Sequence, residues 1–479
     1  MQTSADAARA TGAPAVSPRT RMILTAPILP TVLKLAIPSI VTMLVSALSS
    51  TADALFVSRL GSDALAGVSL VLPVWMLMST MSNGGFGGGV SSAVARALGG
   101  GRRADADAIV SHALWMSLAL SLIFTTIPLL FGPAIYQSMG GTGGALAAAL
   151  TYSNVVFAGA ILIWLVATLG SVLRGSGEMV FTAKVIVGGE ILHLILAPLL
   201  IFGLGPFPAL GVAGGGTSLV ISYAIRAAVM AWFILSGRAA VRLHLGRPRF
   251  RPGMFWEILK VALPGSVNTI LTNANVMVVT SVVGAYGTLA LAGYGAGARL
   301  EYLQIPLVFG MGTALVTMVG MNAGAGQAAR ARRIALTGAG LAAAATGSVG
   351  LLSAVAPWLW IGFFSPDPDV QRVGQLYAQV VGPTYGFFGV GLALYFASQG
   401  TGKTVWALMA GFARLAVSAG GGWLVASWLG GGLTALFLAV AVGFVVFGGG
   451  QLLAISWTLP VPKRTARSEP EPDAEPAVA

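Results

Sequence analysis

Four long stretches of this sequence contain no Asp, Glu, Lys or Arg: residues 108–173, 191–225, 261–298 and 415–461. A helix that crosses the hydrocarbon core of a bilayer needs about 20 apolar residues. Each stretch therefore holds one or two spans, punctuated by turns such as Gly132-Pro133 and Gly140-Gly-Thr-Gly-Gly144. Charged residues make up 9% of the chain and hydrophobic ones 56%, where a soluble domain carries about 25% charged. The short alternating segments of a membrane β-barrel are not seen. Segmentation predicts twelve helices starting near Thr31, Asp63, Ala106, Gly144, Glu178, Ala209, Gly253, Thr288, Arg330, Val370, Lys403 and Gly431. The fold class is all-α and integral to the membrane.

The second half repeats the first. Leu35-Ala-Ile-Pro38 returns as Val261-Ala-Leu-Pro264, a shift of 226, and Ala64-Leu-Ala-Gly67 returns as Ala290-Leu-Ala-Gly293, again 226. Gly99-x-Gly101 returns as Gly324-x-Gly326, and Gly175-x-Gly177 as Gly400-x-Gly402, both at 225. Six helices per copy is an even number, so both copies enter the membrane the same way round. Two six-helix lobes then face each other about an axis along the membrane normal, the parallel repeat of many transporters.

The net charge of +12 is a topology signal and does not imply a nucleic-acid partner. Arg9, Arg19 and Arg21 precede helix 1, and Arg96, Arg102 and Arg103 follow helix 2. Arg174 follows helix 4; Arg238, Arg242, Arg247, Arg249 and Arg251 follow helix 6. Arg330, Arg332 and Arg333 follow helix 8, Lys403 follows helix 10, and Lys463, Arg464 and Arg467 follow helix 12. The odd-numbered connections are nearly bare. By the positive-inside rule both termini are expected to be cytoplasmic, in an inner or plasma membrane. The expected organisation is a disordered tail over 1–27, an N-lobe over 28–236, a basic linker over 237–252, a C-lobe over 253–458 and a disordered tail over 459–479. The chain has no cysteine, and its first apolar run is long enough to be a true span, so no signal peptide is expected.

Five motifs now carry a resemblance. They are Asp53-Ala-Leu-Phe-Val-Ser-Arg-Leu-Gly61 after Pro38, Ala97-Leu-Gly-Gly-Gly101, Gly320-Met-Asn-Ala-Gly-Ala-Gly326, Leu173-Arg-Gly-Ser-Gly177, and the run from Leu200 to Gly214. In this order and spacing the chain resembles the multidrug and toxic compound extrusion (MATE) transporters over about residues 28–458. The resemblance implies export of organic, often cationic drugs against H+ or Na+ by alternating access. It places the first lobe's coupling carboxylate at Asp53. It also implies an Asn and, four residues later, an Asp on helix 5; here those positions hold His193 and Ala197.

Ionisable groups inside a span cost at least about 2.5–3.5 kcal/mol on insertion scales, which makes them functional candidates. Asp53 lies 19 residues after Lys34, roughly 28 Å along a helix, so it sits inside and nearer the outer surface. Copy two has Val279 there. A desolvated carboxylate takes up a proton or demands a cation; Na+ at Asp53 is one option. Glu190 and His193 share a face of helix 5 and read as a proton relay, a poor Na+ site that tilts the reading towards H+; the bland alternative is a structural Glu–His pair. Arg226 either neutralises Glu190 or snorkels to the surface. The resemblance also implies an acid in the second lobe for drug or cation binding; Glu301, with Gln304 on its face, is the candidate, against an interhelical ion pair, and Arg299, Asn273 and Asn275 are candidate cavity residues. Glu257 and Lys260, three apart, read as an interfacial ion pair.

The glycine runs at 84–89 and 420–422 lack the Lys-Ser/Thr ending of a phosphate loop and read as close helix packing. No enzyme constellation, cofactor motif or structural metal site is visible. The expected partners are small-molecule drugs and the bilayer, with the protein acting as a monomer. The competing reading is a lipid-linked oligosaccharide flippase, which would need Arg226, Arg299 and Arg414 to converge on a cationic cavity.

Overall fold

The computed structural model describes residues 17–243 and 250–459. Arg9, His244, Arg247, Arg249, Lys463, Arg464 and Arg467, and the C-terminal tail from 460, lie outside the described residues. The segments form α1 (Ile28–Ser58), α2 (Ser62–Gly99), α3 (Arg103–Ser138), α4 (Gly143–Ala158 continued by Ala160–Gly175), α5 (Met179–Phe202), α6 (Val212–Leu235), α7 (Pro252–Gly284), α8 (Thr288–Gly324), α9 (Ala328–Val355), α10 (Pro368–Thr401), α11 (Val405–Ser427) and α12 (Gly432–Thr458). Twelve spans result when bent α4 is one of them, and each starts within three residues of its expected position. Among the described residues there is no strand.

The repeat survives as packing detail. A Cβ at Gly175 would meet the Ser91 carbonyl oxygen at 2.6 Å, and one at Gly400 would meet that of Val316 at 2.8 Å. Ser91 and Val316 are themselves 225 apart. Likewise Gly67 lies against the α4 backbone at Ala145, and Gly293 against the α10 backbone at Val370. Small residues let helix backbones meet where side chains would hold them apart. The fourth helix of each lobe is interrupted at the same place: α4 bends by 49° at Gly159, and α10 passes through a 3-10 turn at Gly382–Thr384.

Contacts between the lobes are gathered at one end, the end that carries the even-numbered basic connections. There Gly85 and Gly89 of α2 lie against Ala262 and Ser266 of α7, and Gly88 against Gln399 of α10. A methyl group on Gly99 would overlap the Met321 carbonyl of α8; one on Gly324 would overlap the Arg96 carbonyl of α2. Arg96 also bonds Glu257 of α7 at 2.9 Å, and Lys260 bonds the same carboxylate at 2.5 Å. The expected Glu257–Lys260 pair thus has a third member from the other lobe. By contrast, the first half of α2, Ser62–Thr80, packs mainly on α1, α3 and α4 of its own lobe. The lobes are closed at the basic end, and their contact reaches inward as far as Ile40 of α1 against Gly310 of α8.

One expectation is corrected. Residues 1–27 were expected to form a disordered tail, yet Pro18–Thr25 is a helix. Ser17 caps it, its hydroxyl accepting from Thr20 N–H at 3.1 Å, and Pro18 stands at the first helical position, where a missing N–H costs nothing. Ile23 is fully buried. The helix is held by both lobes: Arg19 pairs with Glu178, Asn322 donates to the Ile23 carbonyl at 3.3 Å, and Arg330 donates to that of Ala26. Eight residues of mixed polarity carry no span-length pattern, so hydropathy passes over them.

Candidate functional site

Three polar stripes face each other inside the N-lobe. On α1 it is Ser46 and Asp53; on α5, Glu190 and His193; on α6, Ser218, Ser222 and Arg226, spaced four apart so that all three lie on one face. His193 lies 14 residues into α5, about 21 Å along it.

His193 is the hub. Its Nε2 stands 2.9 Å and 2.8 Å from the two oxygens of Asp53. Its Nδ1 stands 3.1 Å from the hydroxyl of Ser218, which itself donates to the Gly215 carbonyl at 2.8 Å. With the Ser218 proton on Gly215, Nδ1–H must donate to the hydroxyl oxygen. One further proton then lies between Nε2 and Asp53, as imidazolium with carboxylate or as neutral imidazole with carboxylic acid. Losing that proton turns Nδ1 into an acceptor, and Ser218 must rotate away from Gly215 to serve it. The arrangement has room for one exchangeable proton between Nε2 and Asp53, with Ser218 placed to answer its loss.

Glu190 belongs to a different pair. It accepts from Arg226 at 3.2 Å and from Ser46 at 3.1 Å, and has no hydrogen bond to His193. The expected Glu190–His193 relay is therefore corrected: the two share a helix face but turn to different partners. Arg226 neutralises Glu190, as one of the two readings had it. Its guanidinium also lies over the Tyr223 ring at 4.7 Å and fits against Gly189, where a Cβ would collide with it. Gly189→Ala is expected to lower stability by about 1–3 kcal/mol, the usual cost of overpacking. A thermal unfolding curve in detergent would check this; an unchanged midpoint would refute the tight fit. The repeat puts Val279, Ser418 and Gln451 where the N-lobe has Asp53, His193 and Arg226, so the constellation is confined to one lobe.

In the C-lobe, Glu301 accepts a hydrogen bond from Tyr377. Tyr294 meets Tyr377 edge-on at 5.3 Å, and Phe437 meets it at 5.0 Å. Arg414, left without an assigned partner by the sequence, is caged by the rings of Phe444, Phe447 and Phe388 at 4.8, 5.5 and 5.6 Å. Asn275 lies with Arg414 around a small cavity between α7 and α11. Gln304 is buried and donates to the Leu300 carbonyl of its own helix. Two candidates do not join this cluster. Asn273 is exposed and bonds Thr269 of its own helix at 2.9 Å. Arg299 is exposed and reaches Phe364, in the α9–α10 connection, at 4.9 Å; a long side chain follows accessible surface where a short one cannot.

Sequence reasoning missed Ser46, Ser218, Tyr377 and Arg96. The four-residue spacing of Ser218, Ser222 and Arg226 was the available signal for one of them. The others are single polar residues whose partners lie on distant helices.

The MatE family model matches residues 38–199 and 264–424, well over half of the chain. The chain belongs to the MatE family. The two matches begin at the paired prolines Pro38 and Pro264, so the family unit is the repeat itself. Among curated relatives, a FAD transporter of Shewanella oneidensis is 27% identical over 77% of this chain and 81% of its own length. A probable multidrug resistance protein NorM of Thermotoga maritima is 24% identical over 78% and 80%, and a multidrug export protein MepA of Staphylococcus aureus is 23% identical over 80% and 85%. A solved MATE transporter in an outward-facing conformation superposes with a TM-score of 0.83 at 24% identity, covering 93% of this chain and 99% of its own; at that identity the likeness speaks for fold. MatE proteins are membrane transporters and not enzymes, and the twelve-helix, two-lobe architecture is theirs.

Proposed function

We propose that this MatE protein exports organic compounds, many of them cationic, in exchange for protons. The observation that carries the coupling is the Asp53–His193 pair: both carboxylate oxygens face one imidazole nitrogen. A sodium ion prefers oxygen ligands, and here a nitrogen caps the seat it would need. Asp53 is about a third exposed while His193 is sealed, so protons enter through the carboxylate and are held by the imidazole. Glu190, tied to Arg226, holds α5 to α6. Glu301, with its aromatic surround, serves as the second lobe's acid for a cationic substrate, since aromatic faces and a carboxylate both favour one.

The basic connections make the closed end cytoplasmic. In the proposed cycle, drug enters from that side when the seam between the lobes opens. The lobes rock, a proton arrives at Asp53 from outside, and drug leaves. The names of the NorM and MepA relatives support a drug substrate. The flippase reading loses its support: Arg226 is neutralised by Glu190, Arg414 is caged by phenylalanines and Arg299 reaches a peripheral connection, so the three do not build a cationic cavity.

The test is ethidium export from proteoliposomes of checked orientation, with a pH gradient alone and then a Na+ gradient alone. Export is expected under the pH gradient only. Export that follows Na+ would overturn proton coupling. FAD in the same liposomes separates substrate classes: FAD movement without ethidium movement would replace the organic-cation reading with an organic-anion one.

A further inference from the structure

A groove lies on the N-lobe between α5 and α6, with Arg226 and Gly189 of the site above at its floor. It is lined by Lys184, Val185, Gly188, Gly189 and Leu192 of α5, with Ile225, Arg226 and Val229 of α6. Its rim residues Lys184, Gly188, Ile225 and Val229 are exposed, as are Ile191 and Ile195 along the same face of α5. This is a wall of two spanning helices with apolar side chains turned outward, so the groove opens onto the bilayer.

Its polar groups are all donors. Among the described residues Lys184 has no carboxylate within 4.0 Å. At the floor, Arg226 is 2% exposed, and its Nε and Nη2 have no hydrogen-bond partner; Nη1 is used on Glu190, and the guanidinium lies over the Tyr223 ring. A buried guanidinium with two idle donors is costly unless an acceptor reaches it. Gly188 carries no side chain, and a Cβ there would meet nothing within 4 Å. The gap it leaves is part of the groove.

We propose that this groove seats an anionic phospholipid from the leaflet at the basic end. Lys184 lies five residues into α5, about 8 Å from its end, within snorkelling reach of the phosphate layer. Its ammonium takes the phosphate. An acyl chain runs along Val185, Gly188, Leu192 and Val229. The glycerol ester carbonyls are the lipid acceptors that lie furthest down towards Arg226. A soluble anion offers the charge without the chain, and a zwitterionic lipid offers the chain without net charge; the groove is built for both together. The seat does not depend on which compound is exported. It does connect the bilayer with the helix pair that holds Glu190 and His193.

The experiment is native mass spectrometry of the full-length protein in detergent, titrated with phosphatidylglycerol, phosphatidylcholine or glycerol phosphate. Wild type is compared with Lys184→Ala and with Gly188→Leu, which fills the gap. Helicity by circular dichroism and size-exclusion behaviour show that each variant is folded. Phosphatidylglycerol retention is expected to fall about five-fold in Lys184→Ala, the worth of one basic residue at an anionic surface, and at least as far in Gly188→Leu. Phosphatidylcholine should bind weakly and respond little to Lys184→Ala. Unchanged phosphatidylglycerol retention in both folded variants would overturn the proposal. So would equal binding of phosphatidylcholine by wild type, or displacement of the lipid by glycerol phosphate.

Discussion

Replacing Asp53 by Asn is expected to abolish pH-driven export while leaving a folded protein that still binds ethidium. The side chain keeps its shape, and its amide can still meet His193 Nε2, which stands within 2.9 Å of both carboxylate oxygens. What is lost is the second basic atom. Swinging a two-state protein from about 1:99 to 99:1 takes a differential affinity of about ten-thousand-fold, about 5.5 kcal/mol. In the N-lobe Glu190 is held by Arg226, and in the C-lobe Val279 stands where the repeat would need a second Asp. Initial rates in proteoliposomes should fall to the level of empty liposomes, while ethidium binding by fluorescence polarisation changes no more than a few-fold. His193→Asn should lose most pH-driven export as well, because the amide cannot hold the proton that the imidazole shares. Full pH-driven export by Asp53→Asn would remove the pair from the mechanism.

The second large effect is expected at the seam. Gly99→Ala and Gly324→Ala each place a methyl group on a backbone carbonyl of the opposite lobe, that of Met321 or Arg96. No rotamer relieves such an overlap, and neither carbonyl sits at the end of a flexible side chain. Overpacking costs about 1–3 kcal/mol or more, and here the lobes escape the strain by parting. The penalty therefore falls on the closed state and not on the fold. Three kcal/mol corresponds to about a hundred-fold shift in the balance of states. The chain has no cysteine, so spin labels at Arg102→Cys and Gln327→Cys, both exposed beside the seam, report the distance without background. That distance should lengthen in either glycine variant, with transport lost and unfolding temperature little changed. A distance distribution identical to wild type would show that the contact is not what closes this end.

How much of this was legible in the sequence depended on the scale of the question. Helix number, helix starts and the basic even-numbered connections follow from charge gaps tens of residues long, which bilayer thickness imposes, and the repeat follows from anchors held at a spacing of 225 or 226. Pairing inside the lobe does not follow. Glu190 and His193 are three apart, so a shared helix face is computable from sequence. The true partner of His193 is Asp53, 140 residues away on another helix, and helix rotation about its own axis decides that contact. A side chain's reach is also hidden: Arg299 and Glu301 are neighbours in sequence, yet one reaches a peripheral connection and the other a buried tyrosine. The break in α4 escaped notice because glycine is common in spans, and it stands out only beside its counterpart in α10.

The seam has one further property. Gly99 meets the carbonyl of residue 321 and Gly324 meets that of residue 96; adding 225 to the first pair, read crosswise, gives the second. A contact that maps onto itself when the halves are exchanged is isologous, the type that joins C2 homodimers. The lobes thus associate through a homodimer interface drawn within one chain. The linker contributes proximity, and the shape that brings the halves together is already present in each of them. The Asp53–His193 pair stands in one half only, so under the proposed mechanism a symmetric joint is driven by an asymmetric charge.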